Sequence, residues 1–451
     1  MAPLKVLVIG AGVGGTATAF WLGKAGHDVT VIERAPELRA NGQQIDLRGQ
    51  GLTVTRRMGL LDIVRSKRVD EQGVMFVDSK GANKAFFAIN DTGKGAQAFT
   101  SDYEIMRGDL IRILYDASLE SGNARYMFGT TVTSFSQDNS DAKSEDGGKV
   151  RVTFSDGREE EYDLVVGADG QGSRTRRQLL GLTQGQRDPT SKFLGVYAGF
   201  YSLPHDGTRP NIACAYHAPG GRLTLTRVDN PKTFQVYHMM RADHPLGRDF
   251  GIALAKRDVV AQKQILAEAF QDAGWETKKL THGMIHDKQA DDFYATDVAS
   301  IVSPIWNKGR IVLLGDAGYS AATFSGFGTS MALIGAYVLA GEIAKNTTFD
   351  KQHPRKSLAD GEIKVMKALR GYDDVLRPFV TSFQNSIPGW IWAFAIPKPA
   401  WAVWLLRFVF TMVTVLRIDK LSQRFGSDDK QAWVLPSYPE VDALVKSSVG
   451  D

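Results

Sequence analysis

The chain has 451 residues, of which 43% are hydrophobic and 23% are charged. This is ordinary globular composition, which excludes disorder as the main state. A chain of this length buries enough surface to stabilise its core without disulfides or bound metal ions. The formal net charge is only +4 and includes no block of lysine and arginine, so no nucleic-acid partner is expected. The single cysteine, Cys214, excludes an internal disulfide and a cysteine zinc cluster, and no metal site is predicted.

The N-terminal residues predict a β-α-β unit. The first apolar run is too short for the core of a signal peptide and continues directly into glycines, so it is interpreted as a buried strand. The predicted elements are a strand at Val6–Ile9, a helix at Val13–Lys24 and a strand at Asp28–Ile32.

The turn between the first strand and the helix fits the pattern G-x-G-x-x-G. Gly10 permits the tight turn, Gly12 lets a pyrophosphate approach the backbone, and Gly15 lets the helix pack closely on the strand. The N-terminus of the helix favours the phosphate charge. Glu33 follows 18 positions after Gly15, at the end of the second strand, where a carboxylate accepts hydrogen bonds from ribose hydroxyls. The spacing predicts a dinucleotide site without separating NAD from FAD.

Farther along the chain, helical periodicity alternates with short β-like runs. Four runs between residues 193 and 240, separated by glycine and proline turns, predict a mostly antiparallel sheet inserted between parts of a parallel one. Helices are predicted at 52–67 with a break at Gly59, and at 107–119, 259–270, 330–345 and 356–379; further strands are predicted at 131–135, 150–154, 164–166 and 311–314.

Two further glycine clusters follow buried strands. In one, Gly315-Asp316 precedes a loop with Gly326 and Gly328 and then a long helix, whose free N–H groups would attract an anion while the carboxylate reaches a sugar or ribityl hydroxyl. In the other, a strand ends in Asp169-Gly170, which by itself would be an ordinary turn. A second phosphate site at the Gly315-Asp316 cluster, far downstream of the first, suits a cofactor longer than one half of a Rossmann fold can hold.

These three motifs, in this order, resemble those of the FAD-dependent aromatic-hydroxylase type of flavoprotein monooxygenase, the group of para-hydroxybenzoate hydroxylase. The resemblance covers roughly residues 4 to 380. The segments Asn41–Gly49 and Tyr337–Glu342 are most similar to the branch with tetracycline-degrading monooxygenases and secondary-metabolite oxygenases. The resemblance to this family implies an α/β (α+β composite) fold: a Rossmann-type FAD-binding domain, an inserted antiparallel substrate domain and C-terminal helices. The implied boundaries are 1–75, 101–185 and 291–350 for the FAD-binding domain, 76–100 and 186–290 for the substrate domain, and 351–451 for the C-terminal helical region.

The resemblance also assigns residues to the cofactor. It places the fingerprint glycines and Glu33 on the adenosine half of FAD and Arg34 along the adenine. Arg107, which opens a helix, matches a flavin-binding arginine, and Asp316 matches the residue on the ribityl or pyrophosphate region. The motif of Asp169 and Gly170, with Ser173 and Arg176, is associated with both FAD and NAD(P)H. The predicted cofactor-binding set is Gly10, Gly12, Gly15, Glu33, Arg34, Gln44, Arg107, Asp169, Gly170, Asp316, Gly326, Gly328 and Thr329.

The sequence departs from the family at the Gly-Asp loop. The usual second alanine, histidine and proline are replaced by Gly318, Tyr319 and Thr323. Since that proline shapes the wall near the reactive carbon, Thr323 and Phe324 leave the local flavin geometry open. The flavin carries the chemistry in this family, so no side chain is assigned as catalytic; the candidates for the pocket are Arg48, Tyr216, His238 and Phe324.

The implied activity is an NAD(P)H- and O₂-dependent monooxygenase. A flavin C4a-hydroperoxide would hydroxylate or epoxidise a hydrophobic, aromatic or polyketide-like molecule, and the protein would orient the partners and exclude water. Alternatives are a flavin oxidase or reductase that makes hydrogen peroxide, and a binding protein with FAD as structure only. The run Trp390–Pro397 also resembles the Trp-x-Trp-x-Ile-Pro motif of flavin halogenases, with two extra residues and a different position.

The segment 387–418 is apolar apart from a few residues such as Arg407 and Arg417. One interpretation is a monotopic helix lying on a membrane surface. The other, favoured because an interior arginine is costly in hydrocarbon, is a helix packed on the body or at a dimer interface. A cytoplasmic enzyme, monomeric or dimeric, with or without peripheral membrane contact, is expected.

Overall fold

The computed structural model describes residues 3–39, 42–89, 103–137, 148–183, 185–228, 230–321, 326–346, 357–386, 394–417 and 433–446. The strands are β1 (Lys5–Ile9), β2 (Asp28–Glu33), β3 (Gln44–Asp46), β4 (Gly73–Val77), β5 (Asn83–Ala88), β6 (Glu104–Met106), β7 (Ala124–Phe128), β8 (Val132–Gln137), β9 (Val150–Phe154), β10 (Glu159–Tyr162), β11 (Leu164–Gly167), β12 (Ser191–Pro204), β13 (Ala213–Ala218), β14 (Arg222–Val228), β15 (Thr233–Arg241), β16 (Tyr294–Val302), β17 (Asn307–Lys308), β18 (Ile311–Leu313) and β19 (Tyr319–Ser320). The helices are α1 (Val13–Lys24), α2 (Gln50–Arg57), α3 (Leu61–Ser66), α4 (Arg107–Leu119), α5 (Arg174–Leu179), α6 (Gly247–Lys256), α7 (Val259–Phe270), α8 (Thr277–His286), α9 (Gly328–Asn346), α10 (Ser357–Ser386), α11 (Ala400–Val415) and α12 (Pro439–Lys446).

A six-stranded sheet in the order β17-β18-β11-β1-β2-β7 carries the glycine clusters. Its strands are parallel except for β17, and the apolar residues of β1 are buried between β2 and β11. Because the carboxyl ends of parallel strands meet at one edge, the loops after β1, β11 and β18 converge there. The predicted Rossmann-type unit is confirmed.

The larger sheet has eight strands in the order β19-β16-β12-β15-β14-β13-β4-β5, antiparallel except where β13 meets β4. Helices α6, α7 and α8 cover one face of this sheet. Phe250 of α6 and Leu266 and Phe270 of α7 pack against that face. The opposite face carries Phe200 and Tyr237. The predicted inserted antiparallel sheet is confirmed. The domain boundaries remain a prediction, and in the structure the sheet also includes β16, beyond residue 290, and part of β4, before residue 76.

Helices α9 and α10 pack against each other on the side of α1. The sequence predicts that α10 ends near residue 379, but the helix continues through Pro378 to Ser386. A proline removes one backbone donor and disfavours this continuation. Tertiary packing overcomes that cost, since Val380 is fully buried and the Gln384 side chain donates to the Ile301 carbonyl at 2.7 Å.

The C-terminal helices are attached to different parts of the molecule. Phe410 of α11 contacts Phe76 of the large sheet with ring centroids 4.4 Å apart, while α12 packs on α9. The other side of α11 is exposed. Helix α11 thus has the predicted packing on the body together with an uncovered apolar face. Across the described parts of the chain, none of the helices combines the length and apolar character that crossing a bilayer requires.

Candidate functional site

The fingerprint loop leaves an open approach to the N-terminus of α1. Gly10 has φ +104°, and a Cβ added there would lie 2.6 Å from the carbonyl oxygen of Ala168. A Cβ on Gly15 would lie 1.8 Å from the Gly10 carbonyl oxygen, so glycine is required at both positions. A Cβ on Gly12, in contrast, would meet nothing within 4 Å. Two glycines therefore close the loop on the sheet, and the third faces free space where an anion can approach.

Glu33 lies beside this loop at the end of β2. One carboxylate oxygen accepts from the Ala11 N–H at 3.1 Å and the other from the Ala35 N–H at 3.0 Å. These bonds fix the carboxylate next to the fingerprint while each oxygen keeps a lone pair. Arg34 follows directly and is exposed.

The side chains of the Asp-Gly motif are engaged locally. The Asp169 carboxylate accepts from the Ser173 hydroxyl at 2.6 Å and from the Thr175 N–H at 3.0 Å, which caps α5. Gly170 has φ +78°. Arg176 is buried, pairs with Asp188 at 2.9 Å and donates to the Ala317 carbonyl at 2.8 Å. The motif therefore anchors the loop after β11 to the loop after β18.

Asp316 lies at the floor of a cleft between these loops and α9. Its side chain is exposed and accepts no hydrogen bond within the described chain. The surrounding protein nevertheless raises the pKa of this carboxyl by desolvation, while Arg107 and Arg176 act to lower it. A Cβ added to Gly328, the first residue of α9, would lie 3.7 Å from the Asp316 Oδ1 atom. Asp316, Arg107 and the α9 N-terminus, predicted separately along the chain, thus face one cleft, and Thr329 is half-buried in the first turn of α9.

A second wall of the cleft is formed by the segment from Gln44 to Arg48. The Arg48 Nη2 atom donates to Asp46 Oδ2 at 3.0 Å, and a Cβ added to Gly326 would lie 3.1 Å from the same oxygen. Three buried polar atoms here have no hydrogen-bond partner among the residues that the structure describes: Gln44 Oε1, Asp46 Oδ1 and Arg48 Nε. Buried polar groups are normally paired. This cluster of unpaired atoms opposite the Gly326 loop is what a polar ligand would satisfy.

Tyr216 and His238, two of the predicted pocket residues, point away from this cleft. His238 lies between the Tyr201 and Thr224 hydroxyls, at 3.0 Å from each, and burial lowers its pKa to about 3. Tyr216 donates to the Ala273 carbonyl. Both side chains belong to the sheet face that α6, α7 and α8 cover, where the His238 ring centroid lies 4.4 Å from that of Phe270 in α7. The third, Arg48, lies in the cleft wall; Phe324, with Thr323, Trp390 and Trp392, falls outside the described residues.

The opposite face of β15, the strand of His238, carries residues that sequence reasoning missed. Gln235 donates to the Gly42 carbonyl at 3.1 Å and accepts from the Tyr237 hydroxyl at 2.7 Å. Successive residues of a strand point to opposite faces, so Tyr237 and His238 cannot share one. The alternation is visible in the sequence, but which face meets the cleft depends on how the sheet docks.

Sequence reasoning also missed a buried charge cluster next to Asp46. Arg227 of β14 pairs with Glu71 at 2.7 Å and with Glu104, and Glu104 stands opposite Asp46 in the β3–β6 ladder. Burial, together with Asp46 and Glu71, raises the pKa of Glu104 to about 7 although Arg227 opposes this. The members are far apart in sequence, and no local pattern links them.

A cavity of about 350 Å³ adjoins the Gly326 loop. Phe383 lines it and contacts Phe327 with ring centroids 4.4 Å apart, and Arg377 lies 4.2 Å from the centre of the Trp306 ring. Its volume is within the usual range of small-molecule sites. Its lining is Lys192, Leu194, Ser300, Val302, Ser303, Trp306, Ala321, Arg377, Thr381, Phe383, Gln384 and Asn385.

Comparison with known proteins agrees with this arrangement. The family described as "FAD binding domain" matches residues 3–350. The chain is 38% identical to the FAD-dependent monooxygenase asL4 of Sarocladium schorii, over 98% of this chain and 99% of the relative. It is 40% identical to the flavin-dependent monooxygenase eupH of a Phoma species, over 97% and 98%. The crystal structure of the tetracycline destructase Tet(51) is 29% identical, with a TM-score of 0.71 over 97% of this chain and all of that one. The chain therefore belongs to the FAD-binding-domain family and is an FAD-dependent monooxygenase.

Proposed function

We propose that the enzyme uses NAD(P)H and O₂ to hydroxylate or epoxidise a small hydrophobic molecule of aromatic or polyketide type. The observation that carries the proposal is the exposed carboxylate of Asp316, which accepts no hydrogen bond from the described residues and lies at the floor of the cleft, below the N-terminus of α9. FAD, when bound, supplies the activation of oxygen. The side chains bind, orient and exclude water.

The residues around the cleft fit FAD. The open space at Gly12 would take the pyrophosphate at the N-terminus of α1, and Glu33, with Arg34 beside it, would hold the adenosine half. Gln44 and Asp46 would turn their unpaired oxygens to donors of the flavin half. Arg107, Asp316, Gly326, Gly328 and Thr329 complete the proposed flavin contacts, with Asp169 and Gly170 supporting the loop beside them.

Arg48 is the residue that we assign to the substrate. The Arg48 Nη2 atom donates to Asp46, while the buried Nε atom of Arg48 has no partner in the described part of the chain. A guanidinium with a free N–H in a water-poor site stabilises the negative charge of a phenolate or enolate. Deprotonation makes the ring carbon of a phenol more electron-rich. Arg48 would therefore both orient the substrate and favour its reactive form.

The cavity beside the Gly326 loop is the proposed entrance for the substrate. Trp306 and Phe383 provide flat apolar surface, and Lys192 provides positive charge. Arg377 also lines the cavity, paired with Asp373 at 2.8 Å. No acidic residue lines the described part of this cavity. This combination suits a polycyclic ring system with an acidic hydroxyl or carboxyl group, and the similarity to a tetracycline destructase supports the same class.

The cellular setting is also part of the proposal. We infer a cytoplasmic enzyme, monomeric or dimeric, whose segment 387–418 makes peripheral contact with a membrane. The support is the exposed apolar side of α11.

Oxygen labelling tests the catalytic proposal. With ¹⁸O₂, NAD(P)H and a panel of phenolic and enolic polyketides, one labelled oxygen atom per NAD(P)H consumed is expected in the product of the accepted compounds. Stoichiometric hydrogen peroxide with every compound would instead make the protein an oxidase. A product formed only with added chloride would favour halogenation.

A further inference from the structure

The exposed side of α11 is a continuous apolar stripe. Trp401 is 69% exposed, Trp404 is 64% exposed and Phe408 is 46% exposed, and this spacing places them along one side of the helix. The rings of Trp404 and Phe408 stack with centroids 5.5 Å apart. Leu405, Val409, Val415 and Leu416 extend the stripe along the helix.

The charged residue inside α11 does not interrupt this stripe. Arg407 points inward, where it donates to the His217 carbonyl and lies over the Tyr216 ring. The cost of placing an arginine in hydrocarbon therefore does not apply to the exposed side. That cost was the sequence-based reason for preferring a fully packed helix.

Composition and charge around the helix fit a lipid surface. Four of the eight tryptophans of the chain, Trp390, Trp392, Trp401 and Trp404, lie within 15 residues, and tryptophan favours the boundary between lipid headgroups and acyl chains. The sequence contains no aspartate or glutamate from residue 375 to residue 418. Arg417 after the helix is exposed, and its placement complements anionic headgroups. Lys398 before the helix is also exposed but is paired with Asp243 at 3.2 Å.

We propose that α11 lies flat on an anionic membrane, with the stripe defined by Trp401, Trp404 and Phe408 inserted among the acyl chains. This extends the peripheral contact of the proposed function and does not depend on the catalytic chemistry. The preceding segment links the stripe to the substrate sheet, because Ile396 is buried in the same apolar cluster as Phe200 and Tyr237. A docked helix would thus hold that face of the sheet near lipid.

Vesicle flotation of the full-length holoenzyme tests this proposal. The protein is expected to float with vesicles of phosphatidylcholine and phosphatidylserine, to bind pure phosphatidylcholine more weakly, and to lose binding as salt rises. The double variant Trp401→Glu/Trp404→Glu should lower the vesicle partition coefficient at least about tenfold. The control Ile252→Glu/Val260→Glu adds the same charge at exposed apolar positions of α6 and α7 and should float like the wild type.

Two further measurements distinguish membrane binding by α11 from an effect on catalysis and from a subunit interface. Flavin content and ¹⁸O incorporation in free solution should be unchanged in the double variant, so a failure to bind vesicles leaves the proposed catalysis intact. No flotation with either vesicle type, or flotation unchanged by the substitutions, would overturn the proposal. It would also be overturned by a dimer in light scattering that the double variant converts to monomer without any vesicle binding, because the stripe would then be a subunit interface.

Discussion

Asp316 combines accessibility with desolvation, two properties that conflict in an ordinary surface carboxylate. Its side chain is exposed, yet the protein around it raises the pKa of the carboxyl. An ionised group held this way costs stability unless a ligand donates to it. Such local cost is typical of binding sites, where the fold keeps a group ready for its partner.

We expect Asp316→Ala to lose FAD without losing the fold. A hydrogen bond to an ionised group contributes about 1.5–3 kcal/mol, which corresponds to roughly a 10- to 100-fold weaker affinity. The ratio of flavin to protein absorbance after dialysis measures this loss. The flavin-free variant should melt no lower than the flavin-free wild type, since a poorly solvated carboxylate has been removed. Asp249→Ala, an exposed carboxylate on α6, is the control. A variant that keeps its full flavin content would place the cofactor elsewhere.

Glu104 makes the stability of the protein depend on pH in a defined direction. Its pKa is about 7 in the folded protein against a reference of 4.5. Between these values the folded state binds more protons than the unfolded state, so this contribution is present at low pH and is lost as the pH rises through about 7. The buried His217 and His238, whose pKa values are lowered to about 4 and about 3, act in the opposite direction over an overlapping range.

The variant Glu104→Gln isolates the Glu104 contribution because the histidines are common to both proteins. From about pH 5 to about pH 8, the wild type should lose on the order of 1–3 kcal/mol of unfolding free energy relative to the variant. Urea unfolding midpoints and slopes at several pH values provide the measurement. Parallel pH profiles for the two proteins would show that Glu104 is ionised throughout this range.

At the scale of elements, the sequence is informative where backbone chemistry is local. The β1–α1 turn needs glycine because added Cβ atoms would strike backbone, and the structure has this turn where G-x-G-x-x-G predicts it. Docking is not local. The side of β15 that meets the cleft, which carries Tyr237 and not His238, is set by α6, α7 and α8 covering the other side. The continuation of α10 through Pro378 is likewise decided by contacts with residues distant in sequence.

Tyr438, the residue directly before α12, is one of the contacts that attach this helix to α9. Asp442 of α12 also accepts from the Tyr337 hydroxyl of α9 at 3.0 Å. The Tyr438 hydroxyl donates to Glu342 Oε1 at 2.8 Å, and its ring occupies the space over Gly341, where an added Cβ would lie 2.2 Å from it. Tyr438 is 3% exposed. The ring therefore fills the space that the glycine leaves.

We expect Tyr438→Ala to destabilise the protein by about 3 kcal/mol or more because it leaves a cavity. Tyr438→Phe should cost about 1–2 kcal/mol because it removes the short hydrogen bond to Glu342 Oε1. Thermal unfolding measures both, and the control Val434→Ala, at a 78% exposed position of the same segment, should have little effect. Equal melting temperatures for all three variants would mean that α12 is not held by this residue.

At the scale of the whole molecule, the cavity is built where three parts meet. Leu194 comes from the substrate sheet, Trp306 from the loop between β16 and β17, and Arg377 and Phe383 from α10. The motifs in the sequence predict the proposed cofactor site, since each motif belongs to one loop. The cavity has no motif, because its lining is defined only after the sheet, the loop and the helix have packed together.

Filling this cavity separates substrate access from cofactor binding. Leu194→Trp places a larger ring in the cavity, on the half-buried part of β12 and away from the fingerprint loop and Asp316. We expect KM for the accepted polycyclic compound to rise roughly tenfold or more, since pocket contacts of a methylene or two already discriminate to that extent. Flavin content should stay at the wild-type level.

The control Ile252→Trp adds the same ring at an exposed position on α6 and should leave KM unchanged. Steady-state NAD(P)H oxidation at varied substrate concentration measures KM for the wild type and both variants. An unchanged KM in Leu194→Trp, with full flavin content, would mean that the substrate reaches the flavin by another route, and the sheet face that carries Phe200 and Tyr237 would then be the next surface to block.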